Sequence, residues 1–192
     1  MMTAGPVRSV LVGFLMAGIL ALPSCRDAGH KQTASRGEGK VVDRFADWGV
    51  DLGVPDDAVF FLAEVAAGPE PLANKRWAVG PDGALRLGEN GEPFDSSLLP
   101  RSPFNRPLRE RPIATLPAAE VRAFLDWLDA QGFFQMPADL GPPDGVKVSD
   151  GMDLWVVARR SGRSAQVRLR PGAEFAAALQ ARFDGLVDPH LR

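Results

Sequence analysis

Apolar residues change their spacing several times along this chain, and each change marks an element. Val59-Phe60-Phe61-Leu62-Ala63-Glu64-Val65 is apolar at successive positions. That predicts a strand covered on both faces and central in a sheet. Strict alternation follows around Gly80-Pro81-Asp82-Gly83, which suits a type I turn with Gly83 in the left-handed position, closing a G1 bulge. The turn pairs Val79 with Leu85 and Trp77 with Leu87, so all four side chains share one face.

Gly88 to Pro117 breaks every period. Six of its residues are prolines (Pro93, Pro100, Pro103, Pro107, Pro112 and Pro117), and their missing N–H groups exclude a helix and oppose a central strand. A loop of this length in a compact domain is either functional or loosely ordered.

Helical spacing then takes over. Pro117 opens a helix, where a missing N–H costs little, and Val121, Phe124, Leu125 and Leu128 form its core stripe at i, i+3, i+4 and i+7. Gly132 follows as a C-terminal cap, and Phe133-Phe134 returns to the core. Asp153 to Arg160 and Arg163 to Arg170 flank Ser161-Gly162 as a second hairpin. Its register sets Leu154, Val156 and Ala158 against Leu169, Val167 and Ala165 on a buried face. The other face pairs Asp153 with Arg170 and Trp155 with Arg168, both favourable cross-strand pairs. A closing helix from Ala173 carries Phe175, Leu179, Phe183 and Leu186 on one stripe. The order is strand, hairpin, helix, hairpin, helix. It predicts an α+β fold, with helices packed on one face of a mainly antiparallel sheet.

The first forty residues read differently. Arg8 precedes an apolar stretch from Ser9 to Leu22, too short to span a bilayer as a helix, and Leu22-Pro23-Ser24-Cys25 follows. This layout resembles a bacterial lipoprotein signal, although Pro23 departs from the small or β-branched residue usual there. The resemblance implies that residues 1–24 are removed and that Cys25 carries a lipid and becomes the mature N-terminus. The membrane, reached through that lipid, is then the first partner. Arg26 stands where aspartate would signal inner-membrane retention, which favours the outer membrane of a Gram-negative envelope. Residues 25–40 read as a flexible tether with a reach of about 20 Å. Residues 41–192 read as one α+β domain. Within it, Val41 to Val54, with Phe45 and Trp48, is either a short helix or a segment packed against the domain.

Composition narrows the partners. Without Arg8 the formal charge is −3, which opposes nucleic-acid binding because phosphate contacts need a basic footprint. Cys25 is the only cysteine, so no disulfide forms within the chain. His30 and His190 are the only histidines, one in the tether and one beside the C-terminus. That leaves no placed base for a Ser-His-Asp or Cys-His arrangement and no zinc ligand set. Catalytic residues, cofactors and a metal are therefore not expected, and the reading is of a non-enzymatic binding protein. Gly37-Glu38-Gly39-Lys40 lacks the preceding strand and the hydroxyl of a phosphate loop, and reads as tether. Asp144, Asp150 and Asp153 lie close in sequence and could approach calcium, but their spacing is not that of an EF-hand loop.

The segments Trp77-Ala78-Val79-Gly80-Pro81-Asp82-Gly83, Leu116-Pro117-Ala118-Ala119-Glu120, Leu128-Asp129-Ala130-Gln131-Gly132-Phe133-Phe134 and Val156 to Leu169 carry a further resemblance. It is to small bacterial domains of unknown function, similar in layout to the emfourin inhibitors of protealysin-like metalloproteases. It implies the fold, and protease inhibition as one alternative role; a carboxylate-based envelope hydrolase is another. These are core, cap and turn positions, so no inhibitory residue is carried over.

Two candidate interaction surfaces remain, for an envelope protein or polymer. One is the basic series Arg101, Arg106, Arg109 and Arg111 in the proline-rich segment, which is otherwise a solvated connector. The other is Trp155 with Arg168 and Arg170, which forms a recognition face unless Trp155 lies buried beneath Val41 to Val54.

Overall fold

The sheet is built outward from β1 (Phe60–Ala66), the strand apolar on both sides. The computed structural model describes residues 44–66, 71–94, 102–148 and 151–191, all within one compact unit of the chain. Among these, β2 (Lys75–Val79), β3 (Ala84–Glu89), β4 (Ala114–Thr115), β5 (Asp139–Leu140), β6 (Met152–Arg160) and β7 (Arg163–Leu169) complete the sheet. The spatial order is β4-β3-β2-β1-β6-β7-β5. Every pairing is antiparallel except β5 with β7. The fold is α+β, as the element order predicts.

Both hairpins take the predicted registers. Val79 faces Leu85 and Trp77 faces Leu87. Gly83 has φ +82°, and the Gly80 N–H donates to the Ala84 carbonyl at 2.9 Å. Only glycine fits there, because a Cβ would overlap the Leu116 carbonyl oxygen. In the second hairpin Leu154 faces Leu169 and Trp155 faces Arg168. Ser161 and Gly162 both have positive φ, the two-residue turn whose twist matches that of the strands.

Helices α2 (Ala118–Ala130) and α3 (Glu174–Val187) cover one face of the sheet. The α2 stripe of Val121, Phe124, Leu125 and Leu128 is buried, as its spacing predicts. Phe60 of the central strand meets Phe124 edge-on at 4.8 Å and Phe183 at 5.2 Å, tying sheet to both helices.

The opposite face is also covered, but without a long helix. A four-residue helix α1 (Arg44–Asp47) and the irregular chain through Ala58 bring Phe45, Leu52 and Ala58 onto Phe61, Ala63, Ala78, Trp155 and Val157. Phe104 joins the same cluster from the proline-rich segment. This second core explains why β1 is apolar on both sides.

The described residues of Gly88 to Pro117 are more than a solvated connector. β3 runs to Glu89, and β4 begins at Ala114. Between them the described residues run beside β3, with Arg109 and Ile113 donating N–H groups to the Leu87 and Leu85 carbonyls at 3.1 and 2.8 Å. Asn74 and Asn90 each give a side-chain N–H to the Pro103 carbonyl at 2.9 Å, and Asn105 bonds Asn90 in return. Prolines forbid a regular ladder, so asparagine side chains supply the missing bonds.

Candidate interaction surface

The hairpin registers decide which side chains share the second face. Arg76 lies opposite Ala63, Arg86 opposite Ala78, and Trp155, Arg159 and Arg168 follow on β6 and β7. A row of four arginines thus stands on this face: the cover receives Arg76, Arg86 and Arg159, and Arg168 stays with Asp153 and Trp155 of β6. Arg76 is 5% exposed. Its Nη1 donates to the Leu52 carbonyl, its Nη2 to the Arg106 carbonyl at 2.7 Å, and its guanidinium lies 4.4 Å from the Phe104 ring centre. Burial lowers its pKa from the ordinary arginine value, with Asp51 opposing the shift. Arg159 Nη1 donates to the carbonyls of Pro55, Asp56 and Ala58. Arg86 pairs with Asp57 at 2.8 Å. The guanidinium is a planar fork of donors, so one arginine can gather several carbonyls that no strand satisfies.

The residues singled out in the sequence fall in three separate places. Trp155 is 5% exposed, which removes it as a recognition residue. Phe45 meets its ring edge-on at 5.0 Å and Trp48 at 5.6 Å, so the chain in and just after α1 buries it. Arg168 lies 4.9 Å over the same indole, the predicted cation–aromatic pair. The predicted partnership of Asp153 with Arg170 is replaced. Asp153 takes Arg168 at 2.5 Å, and Arg170 turns to Asp139 at 3.1 Å. The cause is β5: it pairs beside β7 and brings Asp139 closer to Arg170 than the cross-strand neighbour is. Asp153 is thereby committed to an arginine, while Asp144 is exposed and Asp150 lies outside the described residues.

Arg106, Arg109 and Arg111 keep exposed side chains at the β3 side of the sheet. Arg106 donates to the Glu92 carbonyl at 3.1 Å, and Arg109 approaches Glu89 at 3.5 Å with 60% of its side chain exposed. Arg101 and Cys25 lie outside the described residues.

The sequence reading missed Arg76, Arg159 and Glu64. Glu64 is 5% exposed, on the helix-covered face. It accepts from Trp77 Nε1 at 3.3 Å and Gln180 at 3.5 Å and pairs with Lys75 at 3.4 Å. Its position beside Lys75 in the β1–β2 register was the available signal.

No group of three or more His, Cys, Asp or Glu able to hold a metal occurs among the described residues, and none of their helices is long and apolar enough to cross a membrane. Comparison with protein-family models, curated proteins and solved structures finds no match. The arrangement's chemistry is that of hydrogen-bond donation. Guanidinium groups hold carbonyls inside, and those of Arg106, Arg109 and Arg111 face solvent.

Proposed function

We propose that this chain is a lipid-anchored, non-catalytic protein of the bacterial envelope, whose α+β domain binds a protein or polymer partner. The observation that carries the reading is the single cysteine, Cys25, directly after Leu22-Pro23-Ser24 and the apolar stretch from Ser9. The domain beyond it presents the exposed arginines Arg106, Arg109 and Arg111 on a segment that hydrogen bonds hold beside β3.

Cys25→Ala tests the anchor. The unsubstituted chain, expressed in a bacterial host with a labelled fatty acid, incorporates label and partitions into detergent; the substituted chain does neither. Equal labelling and partitioning of the two refutes the anchor. Cross-linking of the anchored chain in intact envelopes, compared with an Arg106→Gln/Arg109→Gln chain, then tests the binding role. Adducts that are lost with the arginines support it.

A second reading is inhibition of a secreted or envelope metalloprotease, favoured by the order strand, hairpin, helix, hairpin, helix that the chain shares with its emfourin-like resemblance. Titration of a protealysin-like protease with the full chain decides it, and undiminished peptide cleavage at saturating chain excludes it.

A further inference from the structure

We infer that a gap beside β3 is a binding site for one small oxyanion of the phosphate class. The gap has a cause in the sequence. Arg109 donates its N–H to the Leu87 carbonyl at 3.1 Å. Continued regularly, the next antiparallel rung sets Pro107 against Glu89, and proline has no N–H to give. The ladder fails there and leaves a notch of about 130 Å³, lined by Gly88, Glu89, Asn90, Arg106, Pro107 and Arg109. That volume suits a single small group, since drug-sized ligands take pockets from about 300 Å³ upward.

The chemistry of the lining selects an anion. Two guanidinium groups flank the notch, and neither is saturated. Arg106 is held by the Glu92 carbonyl, and Arg109 by a 3.5 Å exposed contact with Glu89 that is worth little in water. Each fork has five N–H donors and matches phosphate geometry. Behind the floor stands a second, independent observation. Arg76 is 95% buried by its 5% exposure, and its Nε has no partner. A Cβ on Gly88 would come within 3.1 Å of that Nε and 3.3 Å of the Leu108 Cα. Glycine at 88 therefore lets Nε, the one unpartnered nitrogen of Arg76, approach the backbone that lines the notch. The Arg76 charge lies behind the floor, and Asp51 is the carboxylate that acts on it. Glu89 is the built-in competitor: an entering oxyanion takes Arg109 from it. The proposal is independent of the anchor at Cys25.

The test uses the full chain carrying Cys25→Ala, so that no lipid brings it to a bilayer. Inorganic phosphate is titrated at constant ionic strength against chloride, with amide shifts of Gly88, Asn90 and Arg109 as the readout. Saturable shifts are expected. Arg106→Gln and Arg109→Gln should each weaken binding by about tenfold, the loss of one charge-assisted hydrogen bond. Glu89→Gln should tighten it, a gain that misfolding cannot produce. Phosphatidylglycerol vesicles that compete with phosphate identify a lipid headgroup as the source. Phosphate binding without that competition identifies the free anion. Both outcomes support the notch. Absence of saturable shifts, or undiminished affinity in both arginine variants, overturns it.

Discussion

Phe104→Ala should behave as a core substitution although its segment is rich in proline and arginine. Phe104 is 5% exposed and packs in the second core under the Arg76 guanidinium, 4.4 Å away. A phenylalanine side chain buries about 150–250 Å². At about 25 cal/mol per Å² its burial contributes at most about 4–6 kcal/mol. Compactness of the unfolded chain reduces that figure, and measured Phe→Ala losses in cores run about 3–5 kcal/mol. An expected loss of about 3–4 kcal/mol follows, including the contact with Arg76. For a domain of this size that lowers Tm by roughly 10 °C. Urea unfolding followed by tryptophan fluorescence reads it, since Trp155 lies in the same cluster. Arg109→Gln is the control, with 60% of its side chain exposed and an expected change within about 0.5 kcal/mol. Arg76→Met in a double-mutant cycle with Phe104→Ala should show coupling of about 0.5–2 kcal/mol. A Phe104→Ala loss below about 1 kcal/mol, the scale of surface substitutions, would refute the second core.

Further outcomes can be measured on the same chain. Gly83→Ala should cost at least about 2 kcal/mol in urea unfolding, from the left-handed backbone and the overlap with the Leu116 carbonyl. The hydrogen bond from Arg163, with the charges of Arg163 and Arg160, holds the Asp129 carboxyl below its usual range. A lowered carboxyl pKa stabilises above the unfolded value of about 3.9, and the contribution fades as pH falls through the folded value. Asp129→Asn should therefore lower Tm at neutral pH and flatten its fall in acid, as thermal scans between neutral and strongly acidic pH would record. Calcium and a strong chelator should leave Tm unchanged, because Asp153 is occupied by Arg168; a calcium-restored loss on chelation would contradict this.

The helix-covered half of the molecule was legible because its rules are local. The spacing of Val121, Phe124, Leu125 and Leu128 fixes a face, and Pro81-Asp82-Gly83 fixes a register. The second half obeys no period. Phe45, Leu52 and Phe104 reach one cluster from irregular chain, and what holds them is arginine bonding to distant carbonyls. A clue was nevertheless present. Alternation in β2 puts Arg76 on the face opposite Trp77 and Val79, beside Ala78, and a central strand apolar on both sides requires that face to be covered. Arg76 therefore had to be buried, and its carbonyl partners had to come from loops. The candidate surface was less legible, because exposure of Trp155 or Arg170 depends on segments (α1 and β5) whose docking no local pattern encodes.

The proline-rich run beside β3 also bears on how copies of this chain meet. An outer strand with unpaired backbone groups invites another chain to continue the sheet, and proteins guard against it with prolines, charges and short terminal strands. Here the carbonyls of Gly83, Leu85 and Leu87 are already taken by Leu116, Ile113 and Arg109. The run that takes them presents Pro107 and Pro112, which offer no donor to a newcomer, and the exposed charges of Arg106, Arg109 and Arg111. Strand-by-strand polymerisation is closed off at that margin. Copies that meet at that margin find no free donor row there to extend, so the same residues that complete the fold also guard its edge.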